Sequence, residues 1–184
     1  AKKLVAEPGL VGVVGHMCPS GAARASEIYG EARIVMLSPS STAGDFPVPT
    51  YPIFFRTAWN DLTQAQGAVD FAVKTLKAKN VAIVDDKSGY GRSLAEEFKK
   101  DAEAAKLRTV AYEAFPSKGD SPGQIEEAAG AIAAKVNATG ADLVYYGGLP
   151  AEGAALLVEL RKLGVGAAFI GGDALYDVER FAVA

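Results

Sequence analysis

The sequence predicts an α/β fold built on parallel sheets and divided into two lobes, the first of them incomplete. Three observations lead there. Apolar runs of strand length alternate with longer segments of 3.6-residue period almost from end to end, the signature of repeated βα units. Most of these runs are apolar throughout, as strands covered on both faces are. The stretch SPSSTAGDFPVPTYP, residues 38–52, holds no helix long enough for a crossover and breaks the pattern early.

Taken in order, AKKLVAE reads as the tail of a helix whose own strand is not present, so the chain reads as an excerpt. LVGVV predicts a strand over 10–14, followed by the bend HMCPSG and the helical pattern GAARASEIY. RIVML predicts a strand over 34–37 that runs into SPSST, and IFFR predicts one over 53–56. The segment RTAWND then marks a lobe boundary: residues 1–58 form the partial first lobe, 59–61 the hinge crossing and 62–184 most of the second lobe.

Beyond it, Leu62, Ala65, Val69, Ala72 and Leu76 recur at three or four residues, as do Ile125, Ala129, Ile132 and Val136, each set placing an apolar stripe on a helix. Strands are predicted over 81–84, 108–113, 143–146 and 168–170. Ser121 followed by Pro122 offers an N-cap and a first-turn proline, and FPSKGDSPG a polar connection with turn chemistry. Gly164 falls where the face of Leu157, Leu160 and Leu163 stops, the place of a left-handed C-cap.

Composition narrows the function classes. With 184 residues, 49% apolar content and a formal charge of −3, the chain reads as a soluble globular protein. Lys and Arg are scattered rather than gathered in a stripe, which argues against nucleic acid or an anionic membrane as partner. No apolar run approaches the roughly 20 residues of a membrane span. AKKLVAEPGL lacks the hydrophobic region and cleavage site of a secretory signal, and a mature secreted chain would lack them too. Cys18 is the single cysteine, so neither an internal disulfide nor a Cys-based metal cluster can form.

Parallel sheets bind ligands beyond the carboxyl ends of their strands. The residues there are HMCPSG, SPSST, DDKSGYG, GGLP and GGDA: hydroxyls, glycine-opened backbone, Tyr90, Leu149 and Asp173. Two readings stand side by side. Ser20 can cap the helix GAARASEIY, Tyr90 can cover a helix start, and Asp173 can cap LYDVERF. Alternatively, the free N–H groups and positive helix ends of HMCPSG and SPSST can hold a small anion such as a carboxylate.

Enzymatic chemistry finds little support. SGYGRS lacks the third glycine of a dinucleotide loop, and no GxxxxGK[ST] occurs. His16, the one histidine, lies four residues from Ser20 without a GxSxG elbow and reads as structural. No ligand set for a metal or other cofactor is evident, and the adjacent pairs Asp85/Asp86 and Glu126/Glu127 read as solvated faces or loop ends.

Three stretches carry a resemblance: VVGHMCPSGAARASEIYGEARIVMLSPSSTAG, VAIVDDKSGYGRSLAEEF and DLVYYGGLPAEGAALLVELRKLG. With their G-H-x-C, S-P-x-x-T and Y-G elements they resemble the type I periplasmic binding proteins of ABC importers, specifically the branched-chain amino-acid group, in collinear order over essentially the whole chain. The resemblance implies two doubly wound parallel-sheet lobes with a ligand cleft between them, in a protein roughly twice as long. It implies a leucine-, isoleucine- or valine-like ligand, an ABC permease as membrane partner, and a periplasmic or extracellular location.

Carried over by position, the resemblance assigns the ligand's carboxylate to Thr42 and the backbone of Ser40 and Ser41. It assigns the ammonium to Asp173 and gives Tyr90 the role of closing over the ligand. Cys18 matches a cysteine that pairs with a partner outside these residues; the other reading is a buried free thiol. The chain departs from the family at three positions. Pro19 stands where the family has a serine, so Ser20 must substitute; Leu149 replaces a tyrosine of the side-chain wall; and Asp173 is a methylene shorter than the usual Glu.

The expected function is non-enzymatic capture of a small aliphatic amino acid for delivery to a permease. The alternative is a ligand-sensing domain on the same scaffold, an amide or carboxylate sensor. An excerpt with an open sheet edge also favours self-association.

Overall fold

A computed structural model describes residues 1–44, 53–116, 121–177, 179 and 181. The connections expected over 45–52 and 117–120 lie outside the described residues. The chain divides into two compact units, Ala1–Asp61 and Leu62–Ala184.

The first unit contains α1 (Lys2–Val5), β1 (Gly12–Val14), α2 (Pro19–Glu31), β2 (Val35–Ser38) and β3 (Phe54–Arg56). Its strands pair in parallel in the order β1-β2-β3, with Val13 opposite Met36 and Met36 opposite Phe54. α2 buries Ala22, Ala25, Ser26 and Tyr29, one helical face, and packs Ala22, Ala25 and Tyr29 with Ile34 and Met36. The other sheet face carries Val14, Val35 and Phe55, which are 79%, 44% and 54% exposed. Apolar runs predict cover on both faces; within the described residues this sheet has it on one.

The second unit contains α3 (Asp61–Lys74), whose first residue closes the first unit, then β4 (Asn80–Asp85), α4 (Gly89–Ala104) and β5 (Arg108–Ala114). It continues with α5 (Pro122–Asn137), β6 (Leu143–Gly147), α6 (Pro150–Lys162), β7 (Ala168–Gly171) and a 3-10 turn at Asp173–Leu175. The four strands are parallel in the order β5-β4-β6-β7, so the chain winds outward to β5 and returns to the far side of β4. That reversal makes the sheet doubly wound and sets a switch point at the carboxyl ends of β4 and β6.

Alternation in the central strands supplies two cores. Val81 and Ile83 of β4 join Leu143 and Tyr145 of β6 against Ala65, Val69, Leu94 and Phe98 of α3 and α4. Ala82, Val84, Val144 and Tyr146 point the other way, against Ile132, Val136, Leu156 and Leu160 of α5 and α6. β4 and β6 are buried on both sides, as their unbroken apolar sequences require.

Each strand expected from the sequence forms, with ends displaced by one or two residues. Two helical stripes shift. Leu62 and Leu76 are exposed and the buried face of α3 is Ala65, Val69 and Ala72; in α6 it is Leu156 and Leu160, while Leu163 is exposed. Gly164 has φ +74, the left-handed conformation expected after α6. Ser121 precedes α5 at the cap position, but its hydroxyl bonds to Gln124 Oε1 at 3.2 Å instead of capping a backbone N–H. Among the described residues, no helix is long and apolar enough to cross a membrane.

Phe98 stacks on Tyr145 with ring centroids 3.6 Å apart and planes at 7°. Phe98→Ala is expected to destabilise the second unit by about 3–5 kcal/mol, through lost burial and the cavity left behind. Urea unfolding followed by circular dichroism measures it as a lower midpoint at unchanged slope.

Candidate functional site

In the first unit, three strand ends are laced together by polar groups. Ser38 Oγ donates to the His16 carbonyl at 2.7 Å and accepts from the Ser41 N–H at 3.0 Å, while Ser40 Oγ donates to the Met17 carbonyl at 3.3 Å. Arg56, at the end of β3, donates through Nη1 to the carbonyls of Ala43 at 2.8 Å and Ser41 at 3.4 Å. The Asp61 N–H donates to the Thr42 carbonyl at 2.8 Å. The backbone of 38–43 is thereby fixed, yet the hydroxyls of Ser41 and Thr42 are buried without a hydrogen-bond partner among the described residues. Such a hydroxyl forfeits about 1–3 kcal/mol until something meets it.

The bend that follows β1 answers the capping question. Cys18 occupies the N-cap of α2 in extended conformation and Pro19 the first helical position, where its missing N–H costs nothing. Ser20 therefore sits inside the first turn, exposed, and does not cap the helix. Cys18 is a free, exposed thiol, which corrects the reading of a buried one. His16 Nε2 lies 3.2 Å from the Tyr29 hydroxyl, consistent with a structural ring rather than a base.

In the second unit the loops after β4, β6 and β7 meet at one edge, as parallel pairing demands. Asp86 ties the first two: its Oδ1 accepts from the Ser88 N–H at 2.8 Å and its Oδ2 from the Leu149 N–H at 2.9 Å. Asp85 accepts from the Lys87 N–H at 2.7 Å. Both carboxylates are buried and engaged with backbone at the end of β4, so of the two readings, solvated faces or loop ends, the second describes them. Tyr146 donates its hydroxyl to the Leu149 carbonyl at 3.0 Å, so Leu149 is held by its backbone while its side chain stays 44% exposed. Ser88 caps α4 by accepting the Gly91 N–H at 2.8 Å, which sets Tyr90 in the first turn.

Tyr90 and Asp173 come together. The Tyr90 hydroxyl donates to Asp173 Oδ1 at 2.7 Å and accepts from the Ala174 N–H at 3.3 Å. Asp173 thus spends its side chain on α3 and α4 residues; the cap of its own 3-10 turn is Gly172, with no side-chain bond. Burial pushes the Tyr90 phenol well above its ordinary range, and the Asp173 carboxylate beside it adds to the shift. A third partner was not foreseen: Gln64 of α3 donates through Nε2 to the same Oδ1 at 3.0 Å and accepts the Asp173 N–H on Oε1 at 2.6 Å. Its signal in the sequence is faint, a polar residue on the flank of the Ala65, Ala68, Val69 stripe. Gly172 makes the meeting possible, because a Cβ there would strike Tyr90 Oη, Leu94 and Gln64 Oε1.

The family described as "Periplasmic binding protein" matches residues 1–179. An amino acid binding protein of Pseudomonas aeruginosa is 34% identical over 179 residues, covering 97% of this chain and 46% of that protein. A leucine-, isoleucine-, valine-, threonine-, and alanine-binding protein of the same species is 32% identical over 180 residues, 98% of this chain and 46% of its own length. The chain thus spans about half the length of these curated relatives. Among solved structures, a leucine-binding protein from Thermotoga maritima superposes with a TM-score of 0.81 at 19% identity, over 97% of this chain and 49% of that one. A substrate-binding protein from Desulfitobacterium hafniense in complex with Leu gives 0.74 at 24% identity, over 94% and 50%. At these identities the solved structures bear on the fold.

The tyrosines supply a pH test. Burial, then the charges of Asp86 and Glu152, push Tyr146 above its ordinary range as burial and Asp173 push Tyr90. A folded pKa raised above the unfolded value of 10.0 favours the native state below pH 10 and loses that advantage as pH climbs further. In an alkaline absorbance titration, fewer than all 7 tyrosines should ionise near pH 10, and the rest only as near-UV dichroism collapses. Full ionisation near pH 10 with the fold intact would contradict this.

Proposed function

The chain belongs to the periplasmic binding protein family, and on that footing we propose that it is part of an extracytoplasmic solute-binding protein for small aliphatic amino acids, which delivers its ligand to a membrane ABC permease. The observation that carries the reading is Asp173. Both donors that reach this carboxylate, Tyr90 and Gln64, bond to Oδ1, while Oδ2 has no partner among the described residues and the side chain is exposed. An uncommitted carboxylate oxygen on a fixed side chain suits an ammonium. Relatives at 32–34% identity are named for amino acids.

In this reading the first unit receives the other end of the zwitterion. Among the described residues of the first unit, Thr42 Oγ1 and Ser41 Oγ are the buried hydroxyls left without partners, and Ser40 and Ser41 add backbone of a loop already fixed by Ser38 and Arg56. Ser20 stands in the first turn of α2, where helix N–H groups favour an anion, with Cys18 at its cap. Leu149 offers an apolar side chain to the ligand's own, and Tyr90 covers it. Residues 59–61 act as the hinge, and closure follows to the extent that ligand binds the closed state better than the open one. The process has no chemical step.

Asp173→Ala is expected to weaken leucine binding by about 1.5–3 kcal/mol, the worth of a charge-assisted hydrogen bond, or roughly 10- to 150-fold in Kd. Isocaproate, which is leucine without its amine, should lose nothing. Thr42→Val, which keeps the shape and removes the hydroxyl, should weaken both ligands alike. Calorimetric titration reads all three, and an unchanged leucine affinity in Asp173→Ala would sink the zwitterion reading.

A further inference from the structure

Asp173 stands on a three-residue 3-10 turn and is exposed, a poor platform for a charge that must be aimed. Its own turn gives its side chain no hydrogen bond. Left alone, such a carboxylate rotates about two side-chain bonds and presents either oxygen, or neither, to a ligand.

Gln64 removes that freedom at two points. Its Oε1 accepts the Asp173 backbone N–H at 2.6 Å and its Nε2 donates to the Asp173 carboxylate at 3.0 Å. The first bond dictates the second. An N–H can only donate, so the amide oxygen must face it, which turns the amide nitrogen toward the carboxylate; flipped, both contacts would be repulsive. No other side chain serves as well at this place. Glu would set a second negative charge against Asp173, Asn would fall a methylene short, and a hydroxyl could not span backbone and side chain together. With Tyr90 donating to the same oxygen at 2.7 Å, Oδ1 holds two donors and Oδ2 is the oxygen left to a newcomer.

We propose that Gln64 is the positioning residue of the amino-acid site: through its two-point clasp it presents Asp173 Oδ2 to the ligand's ammonium. The inference rests on the amino-acid reading above and adds a residue from the first turn of α3. Gln64 touches no ligand itself. It therefore acts on the amine end alone and only through Asp173.

The test is calorimetric titration of the protein with leucine and with isocaproate, using Gln64→Met, Asp173→Ala and the double variant. Methionine keeps the length and apolar bulk of the side chain, so the helix flank stays packed; equal thermal melts check this. Gln64→Met should weaken leucine about 3- to 10-fold, the effect of one well-placed hydrogen bond, with isocaproate unchanged and no further loss on top of Asp173→Ala. Equal losses for the two ligands, losses that add to those of Asp173→Ala, or no loss at all would overturn the proposal while the amino-acid reading stands. Leucine binding indifferent to Asp173→Ala would end both.

Discussion

Parallel pairing in the second unit is the constraint from which the rest follows. Two parallel strands need a crossover between them, and here each crossover is a helix that covers one face of the sheet. β4 and β6 are consequently apolar on both sides, and every strand ends at the same edge. The loops DDKSGYG, GGLP and GGDA, far apart in sequence, become neighbours without any attraction among themselves. Asp86 then fixes two of them by accepting backbone N–H groups from both. Crowding at this edge explains its glycines: a Cβ on Gly91 would run into Asp86 and the Gly147 carbonyl, and one on Gly148 into Tyr146.

The two units treat polar groups in opposite ways. In the first unit Arg56 engages two backbone carbonyls of the loop after β2 and Ser38 one amide, and the hydroxyls of Ser41 and Thr42 are left over in a buried setting among the described residues. In the second, donors converge on one oxygen of Asp173 and leave the other.

Much of this was legible in the residues, and the gaps have physical reasons. Strand runs such as Val81–Val84 stand out because burial on both faces leaves no polar residue to blur them. Gly164 was readable because only a residue without Cβ accepts a left-handed φ cheaply. The α6 stripe slipped because Leu156, Leu157 and Leu160 offer two overlapping helical faces, and periodicity alone does not choose between them. Ser20 misled as a cap because the helix opens at Pro19, two residues before Gly21. The pairing of Tyr90 with Asp173 follows from which strand ends share an edge, a matter of strand order rather than local pattern. Gln64 left only a faint mark for the same reason: a polar residue on the flank of a helical stripe does not point to a turn more than a hundred residues on, and its separation from Asp173 is 109.

That separation also sets a schedule. Local helices and the pairing of β4 with β5 close short loops, whereas joining α3 to the turn after β7 closes almost the whole unit, at an entropic cost that grows with span. On a ribosome, the sheet centre can settle while the acid is still unmade or inside the exit tunnel. Gln64 and Asp173 then meet only after the sheet on which both are carried has formed, so their clasp is a late contact of this unit.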